Sequence, residues 1–407
     1  MALGSAFGKP YERIAAPGFD SLTPRHPVAG LGPPPCATLM NVKGSSAGGL
    51  PELDGWRSRP VRRLTRLALL LLVAFALAPA ITLDVESAGL ERKPSHHLSH
   101  GYRNLDDAYS YGMGVRVRHF IMAGLSPRRP MGTALAVLPN DGAEIRANGT
   151  HPTATWVGHS TFLVQLDGVN ILTDPIWSDR ASPVGFAGPR RLVPPGLAFA
   201  DLPPIHAVVI SHDHYDHLDA PTVDRLAREH RPWFFVPLGL GEWFRARGIT
   251  EVVEMDWWDS VDFRGLTVVC TPAQHSSGRT LTDQYQRLWS SWVIRGQSKR
   301  FFFAGDTGYD AQFKTIGERL GPFDLTTIPI GGYETFAHGH PNHINPEEAV
   351  QVFQDVRGRL LVPMHWGTFA MNREPFREPP DRLLKEARQR GIEDRVAVLS
   401  PGQTIPW

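Results

Sequence analysis

Cysteine is nearly absent from this chain of 407 residues, which contains only Cys36 and Cys270. Two isolated cysteines provide no disulfide framework, and they do not identify the redox compartment. An excess of basic charge is also missing, because 42 Lys and Arg residues balance 41 Asp and Glu residues. Nine of the basic residues and four of the acidic ones lie in residues 1–66, so the remainder is slightly acidic. General nucleic-acid binding requires a basic face, so nucleic acid is not expected as a partner.

Long apolar runs are missing as well, apart from the 17 uncharged residues from Leu67 to Leu83. This length is the lower limit for a membrane span and slightly long for a signal-peptide core. Five arginines precede the run, and Ala78-Pro79-Ala80 fits the small-x-small cleavage pattern. A buried core helix fits poorly, because the run is apolar on every face. We therefore expect an exported or membrane-associated protein whose main domain is extracytoplasmic, with a cleaved signal peptide and a retained anchor both left open.

The remaining chain divides by composition. Residues 1–66 are rich in Gly, Pro and Ser and are predicted to be disordered. Residues 84–149 are predicted to be an N-terminal extension that packs on the main domain. The extension contains His96, His97 and His100, which we interpret as surface loop residues because no ligand-bearing strand pattern follows them. Residues 150–407 are predicted to form the main domain.

Short apolar strands alternate with helical patterns in the main domain. The stretch from Ala154 to Pro175 predicts two hairpin strands joined at the turn Asp167-Gly168. Further strands are predicted at HAVVIS, FFVPL, LTVVCTP, SSWVIRG, RFFFAGD and LLVPMHW, and helices at APTVDRLAREH, PEEAVQVFQDV and PDRLLKEARQR. This alternation indicates α/β layers with a mixed sheet.

Four of the predicted strands are each followed by candidate metal ligands. The strand AVVIS is followed by His212, His214, Asp216 and His217, and the other three by His275, Asp306 and His365. Loops at the carboxyl ends of strands converge over a rigid sheet, so these side chains are expected to meet. Imidazole and carboxylate without thiolate suit zinc, or else iron or manganese. Seven ligands divide into two sets, and the two oxygens of Asp306 allow it to bridge a pair of ions that hold a hydroxide nucleophile.

The motif SHDHYDHLD, with His275, Asp306 and His365 downstream, resembles the metallo-β-lactamase superfamily of binuclear metallohydrolases. More closely, the chain is similar to the N-acylphosphatidylethanolamine-hydrolysing phospholipase D family. Segments that carry this resemblance run from about residue 153 to 380 and include TWVGHSTFLV, ILTDPIWSDRASP, TPAQHSSGRTLTD, RFFFAGDTGYD and HWGTFA. The resemblance implies a four-layer αββα sandwich.

The resemblance also implies two zinc ions, although other divalent metals such as iron or manganese remain alternatives. One ion would be bound by His212, His214 and His275, and the other by Asp216, His217 and His365, with Asp306 bridging. The implied reaction is phospholipase D-type hydrolysis of N-acylphosphatidylethanolamine to N-acylethanolamine and phosphatidic acid, by attack of a metal-bridging hydroxide on phosphorus. Its partners would be a phospholipid substrate and the membrane surface, and a homodimer is left open.

Other residues receive supporting roles. His159 and Asp174 are predicted to orient ligands through hydrogen bonds, as the resembling families carry both positions. Tyr215 is interpreted either as a substrate-phosphate contact or as a packing residue. The catalytic residues are predicted to be Asp306, Asp216 and His343. Of these, His343 would polarise a phosphate oxygen or protonate the leaving group, or it is instead a helix-entry residue.

Two alternatives to phospholipid hydrolysis remain at this point. The first is hydrolysis of another ester or lactone on the same dinuclear scaffold. The second is a non-catalytic membrane-tethered binding protein that kept the fold. Conventional phospholipase D enzymes use paired H-x-K motifs, and this chain contains none.

Overall fold

The computed structural model describes residues 94–106, 135–280, 282–334, 342–371 and 374–407. The predictions for residues 1–66 and 67–83 fall outside these ranges and stay predictions. Within the described ranges, no helix is both long enough and apolar enough to cross a membrane.

The described strands form two sheets of mixed direction. The first sheet contains, in chain order, β1 (Thr153–Gly158), β2 (Thr161–Leu166), β3 (Val169–Thr173), β4 (Ala207–Val209), β5 (Trp233–Pro237), β6 (Val252–Met255) and β13 (Thr404–Pro406). Its spatial order is β13-β1-β2-β3-β4-β5-β6. Pairing is antiparallel from β13 to β3 and parallel from β3 to β6.

The second sheet contains β7 (Ser260–Phe263), β8 (Leu266–Thr271), β9 (Ser291–Arg295), β10 (Arg300–Phe303), β11 (Leu325–Pro329) and β12 (Leu361–Met364). Its strands lie in the order β12-β11-β10-β9-β8-β7. Here β7 to β10 pair antiparallel, whereas β10, β11 and β12 pair in parallel. Each sheet therefore contains one antiparallel half and one half built from parallel strands.

Helices cover the outer face of each sheet. The apolar cluster outside the first sheet includes residues of α1 (Ala143–Ala147), α2 (Ala220–Glu229) and α3 (Gly241–Arg245). The larger cluster combines the inner faces of both sheets with residues of α4 (Gln312–Arg319), α5 (Pro346–Asp355) and α6 (Glu378–Gln389). Neighbouring residues of β4 and β5 belong to different clusters, as expected for strands buried on both faces. These layers form the predicted αββα sandwich.

The predicted two-stranded hairpin contains three strands. Asp167-Gly168 joins β2 to β3, as predicted, with φ angles of 50° and 79°. The earlier part, however, breaks between β1 and β2, where Gly158 and His159 have φ angles of 138° and 53°. The prediction of one continuous strand was wrong because both halves are apolar and only this backbone reversal separates them. The reversal matters for function, because it places His159 at a strand end.

Candidate metal centre

The loop after β4 carries four candidate ligands and is anchored by the residue between two of them. His212 and His214 lie two positions apart, so their side chains share one side of the loop. Asp213 points away and is fully buried. Its carboxylate accepts hydrogen bonds from Arg287 Nη1 at 2.9 Å and from the Gly278 backbone N–H at 2.7 Å. This anchoring holds the loop against residues 277–287.

Three histidines form the first group of candidate ligands. His212 Nε2 lies 2.8 Å from His214 Nδ1, which lies 3.3 Å from His275 Nε2. His212 and His275 are buried, whereas His214 is half-buried. The three histidines that were predicted from the sequence to bind one ion therefore lie together, and they come from the ends of β4 and β8.

A carboxylate-rich group lies beside these histidines. Asp216 Oδ2 lies 3.2 Å from His217 Nε2 and 3.4 Å from His365 Nε2. Asp306 Oδ2 lies 3.1 Å from each of the same two nitrogens and 3.9 Å from His275 Nε2. Asp306 therefore contacts both groups, which is the position that a bridging ligand requires.

In four histidines, the ring nitrogen that faces away from the centre is hydrogen-bonded. These hydrogen bonds determine which nitrogen faces the centre. His217 Nδ1 lies 2.6 Å from Asp174 Oδ2, and His275 Nδ1 lies 2.9 Å from the Asn342 carbonyl oxygen. His365 Nδ1 faces the Gly331 carbonyl oxygen at 3.3 Å. Because these oxygens accept, each Nδ1 carries a proton, and Nε2 is the atom left to bind metal once the ring is neutral.

His212 reaches the same tautomer through Ser211. Ser211 Oγ donates to Asp174 Oδ2 at 2.5 Å, so it accepts from His212 Nδ1 at 2.9 Å. The lone pair of His212 Nε2 then points into the centre as well. Hydrogen bonds outside the centre thus orient four imidazoles as ligands, which is the usual arrangement around protein-bound metals.

This arrangement fits divalent cations. Lone pairs of nitrogens and carboxylate oxygens converge, and Asp306 Oδ1 and His217 Nε2 are buried without a hydrogen-bond partner among the described residues. Ligands of one tetrahedral zinc ion lie roughly 3.3 Å apart, close to most of the separations here. Nitrogen and oxygen donors without sulfur suit zinc, iron or manganese. Buried polar atoms of this kind are costly unless a cation satisfies them.

Electrostatics differ between the two groups. Burial lowers the pKa of His212 well below its ordinary value and that of His275 to about 3. Burial would also lower the pKa of His217 and His365, but Asp306 and other carboxylates raise the first well above its ordinary value and the second to about 9. His212 and His275 are therefore deprotonated at neutral pH, whereas metal binding at His217 and His365 must displace protons from their rings.

The predicted supporting residues lie where ligands need orientation. His159 is buried, and its Nε2 lies 3.0 Å from Asp216 Oδ2. Asp174 is fully buried between His217 and Ser211, and burial raises its pKa. His343 Nδ1 lies 3.9 Å from Asp306 Oδ2, and its side chain is 16% exposed, so it borders the opening of the centre. A capping box between Asn345 and Glu348 begins α5 and fixes the chain just after His343.

Tyr215 contacts Arg279. Its hydroxyl donates to the Arg279 carbonyl oxygen at 2.9 Å, and the Arg279 guanidinium lies 4.0 Å from the centre of its ring. It lines a separate cavity of about 500 Å³ beside the loop of residues 178–185. Both interpretations of Tyr215, a substrate-phosphate contact and a packing residue, stay predictions.

Two features were missed in the sequence. Asn104, from the N-terminal extension, forms two hydrogen bonds with the backbone of His275. The interpretation of His96 and His97 as surface residues was wrong, because His96 is buried and both rings bind the Asp256 carboxylate. His100 is exposed, as expected. The signal for Asn104 was weak, since 171 positions separate it from its partner.

Comparisons with known proteins show which family this chain resembles. The β-lactamase superfamily domain matches residues 169–366. An uncharacterised protein of Mycobacterium tuberculosis is 43% identical over 322 residues, covering 77% of this chain and 85% of that protein. The N-acyl-phosphatidylethanolamine-hydrolyzing phospholipase D 1 of Caenorhabditis elegans is 48% identical over 250 residues, covering 58% of this chain and 70% of that protein.

A solved structure supports the same fold. A possible metal-dependent hydrolase from Veillonella parvula superposes with a TM-score of 0.52 at 18% identity, covering 63% of this chain and all of that one. The sandwich and its histidine and aspartate cluster define a hydrolase of the metallo-β-lactamase class. Within that superfamily, the chain belongs to the N-acylphosphatidylethanolamine-hydrolysing phospholipase D family.

Proposed function

We propose that this protein is a zinc-dependent phosphodiesterase of the phospholipase D type that hydrolyses N-acylphosphatidylethanolamine. The observation that carries the proposal is Asp306, whose Oδ2 contacts the carboxylate-rich group at 3.1 Å and the three-histidine group at 3.9 Å. The 48% identical nematode relative supports the choice of substrate. Two bound ions would stabilise charge on the phosphoryl oxygens and acidify water.

The reaction needs little more from the protein than orientation and one proton. Water supplies the new P–O bond, and the P–O bond to the N-acylethanolamine breaks, which leaves phosphatidic acid. Asp174 and Ser211 hold His217 and His212 in the tautomer that binds metal. His343 is the described histidine that combines contact with Asp306 and partial exposure, so it is placed to give a proton to the departing alcohol.

Product analysis in ¹⁸O-labelled water tests the reaction. Zinc-loaded protein should convert N-acylphosphatidylethanolamine to N-acylethanolamine and phosphatidic acid, with the label in the phosphate. A lactone panel is the comparison: turnover of lactones without turnover of the phospholipid would instead support the alternative esterase or lactonase function. Elemental analysis of the purified protein should find zinc, and iron or manganese in its place would change the metal assignment.

We also infer that a membrane surface is the partner, supported by an exposed apolar loop. Phe186 is 84% exposed and Val184 is 38% exposed. A bridge between Arg180 and Arg190 closes this loop, and Arg190 is itself exposed. The backbone carbonyl of Arg190 accepts from the Ala370 N–H, close to the ligand His365 in the chain. An aromatic tip beside a basic side chain suits the interface of a bilayer that contains anionic lipids.

Vesicle binding tests this surface. Phe186→Asp should weaken co-sedimentation with vesicles of phosphatidylcholine and phosphatidic acid by roughly tenfold, because a charge replaces an inserted ring. Leu138→Asp is the matched control, since Leu138 is 44% exposed elsewhere on the domain. Hydrolysis of a soluble short-chain substrate should be unchanged in both variants. Equal vesicle binding by the two variants would contradict the proposed membrane surface.

A further inference from the structure

Asn104 holds the backbone of a candidate metal ligand from both sides. Its Nδ2 donates to the His275 carbonyl oxygen at 2.9 Å, and its Oδ1 accepts from the His275 N–H at 3.1 Å. Asn104 is buried, with 7% of its surface exposed. His275 follows β8 in a stretch without regular secondary structure, so these two bonds replace the pairing that a strand would supply.

Asn104 belongs to a short segment, residues 94–106, which we name the strap. A hairpin shapes the strap: the Arg103 N–H donates to the His96 carbonyl oxygen at 2.9 Å, and the Leu98 N–H donates to that of Gly101 at 3.0 Å. Gly101 has a φ of 84°, and a Cβ there would lie 2.2 Å from the Tyr285 carbonyl oxygen. Only glycine fits this turn, so the strap approaches the main domain closely.

The other arm of the hairpin is attached by a second cluster. His96 Nε2 lies 2.6 Å from Asp256 Oδ1, and His97 Nε2 lies 2.8 Å from Asp256 Oδ2. The His96 ring also stacks on Trp257, with 4.2 Å between centroids. We name His96, His97 and Asp256 the clasp. Asp256 follows β6 of the first sheet, whereas His275 follows β8 of the second, so the strap joins the ends of strands from both sheets.

We propose that the strap positions His275 for metal binding, with Asn104 as the positioning residue and the clasp as its anchor. The proposal rests on the proposed metal centre. Asn104 acts on the ligand through its backbone, while the Asn342 carbonyl orients its ring. Together they restrain the Nε2 atom of His275 relative to His214 Nδ1 and Asp306. Such restraint favours metal binding because less freedom is lost when the ion binds.

Metal titration of the full chain tests the proposal directly. Apo protein is titrated with Zn²⁺ against a chromophoric chelator, and the absorption spectrum of the Co²⁺-loaded protein is recorded. Asn104→Ala should weaken one of the two binding steps by about tenfold, and the Co²⁺ absorption should change with it. Asn104→Asp keeps the acceptor for the His275 N–H, but it loses the donor and sets a carboxylate oxygen against the His275 carbonyl oxygen, so it should not restore the wild-type affinity.

Asn140→Ala is the matched control. Asn140 clamps backbone in the same manner, donating to the Gly402 carbonyl oxygen at 2.7 Å and accepting from the Gly142 N–H at 2.9 Å, but it does not contact a ligand. It should lower thermal stability without changing either metal affinity or the Co²⁺ spectrum. Asp256→Asn should reproduce part of the Asn104→Ala effect, because it releases the far end of the strap.

The possible outcomes separate this proposal from the proposed function. A wild-type chain that binds no metal would overturn both. A wild-type chain that binds two ions, with Asn104→Ala behaving like Asn140→Ala, would overturn the strap alone. A third ion that is lost only in Asp256→Asn would overturn the hydrogen-bonded clasp, since the cluster would then be a metal site.

Discussion

His217 and His96 both lie beside an aspartate carboxylate in a buried cluster of histidines, yet the two clusters differ in how their polar atoms are satisfied. At the clasp, the two imidazole nitrogens face separate oxygens of Asp256 at 2.6 and 2.8 Å. One proton between each pair completes both contacts. At the metal centre, Asp306 Oδ2 faces His217 and His365 at 3.1 Å each, and Asp306 Oδ1 has no hydrogen-bond partner among the described residues.

The histidine nitrogens of the metal centre show the same difference from the clasp. His212 Nε2 and His214 Nδ1 face each other at 2.8 Å, and the tautomer of His212 leaves a lone pair there. Protons can satisfy a cluster in which each donor meets one acceptor, but a cluster of converging lone pairs requires cations. Histidine and aspartate content alone therefore does not distinguish a metal site from a structural clasp. The two kinds of cluster are distinguished by whether each hydrogen-bond donor faces an acceptor.

The largest expected difference between the clusters is in turnover. Asp306→Asn removes the carboxylate that contacts both ligand groups, so phospholipid hydrolysis should fall by roughly 10³-fold or more, with loss of bound metal. Asp256→Asn makes the same change in the clasp and serves as the control. At saturating metal it should bind both ions and lose less than roughly tenfold in activity, although its metal affinity falls in part as the strap is released. Steady-state hydrolysis and elemental analysis check both, and full activity in Asp306→Asn would defeat the bridging role.

Substitution of His343 tests the role of a residue at the edge of the metal centre. His343→Gln should lower hydrolysis of N-acylphosphatidylethanolamine by about 10²-fold, since the alcohol leaving group then lacks a proton donor. A p-nitrophenyl phosphodiester should be affected much less, because p-nitrophenolate leaves without protonation. His100→Gln, at an exposed position, is the control and should change neither rate. Equal losses for the two substrates would assign His343 to binding instead of proton transfer.

A smaller effect is expected at the carboxylate behind His217. Asp174→Asn keeps the shape of the side chain, but its amide would face His217 Nδ1 with N–H groups. His217 would then move its proton to Nε2, which points into the centre. Metal affinity should fall roughly 10- to 100-fold. Asp219→Asn is the control, because that buried carboxylate binds the hydroxyls of Ser178 and Thr222 and no histidine. Equal metal affinities in a chelator competition would contradict this role for Asp174.

Most of the centre could be predicted from the sequence because each ligand directly follows an apolar strand. The strand period and the strand ends were visible, so His275, Asp306 and His365 could be placed without knowing their contacts. The partners of the strap could not be placed in this way. Asn104 meets His275 across 171 positions and His96 meets Asp256 across 160. Neither pair has a local pattern, and only the packing of the two sheets brings them together.

The smallest expected effect concerns the stability of the clasp in acid. Burial would raise the pKa of Asp256, but hydrogen bonds from His96 and the Trp257 backbone, with the charge of His96, hold it below its ordinary value. A depressed carboxyl pKa stabilises the fold above the pKa of the unfolded chain, about 3.9. That stabilisation is lost as the pH falls through the folded pKa. Asp256→Asn should therefore cost about 1–3 kcal/mol of unfolding free energy near pH 7.

Urea unfolding of metal-free protein at several pH values measures this loss without interference from the metal centre. The difference between wild type and Asp256→Asn should be constant near neutrality and should shrink below about pH 4, where the Asp256 carboxyl of the unfolded chain begins to gain its proton before that of the folded chain. Asp262→Asn changes an exposed carboxylate nearby in the chain and should show a smaller cost. If the cost of Asp256→Asn instead appeared only when zinc was present, the clasp would bind metal and the distinction between the two clusters would fail.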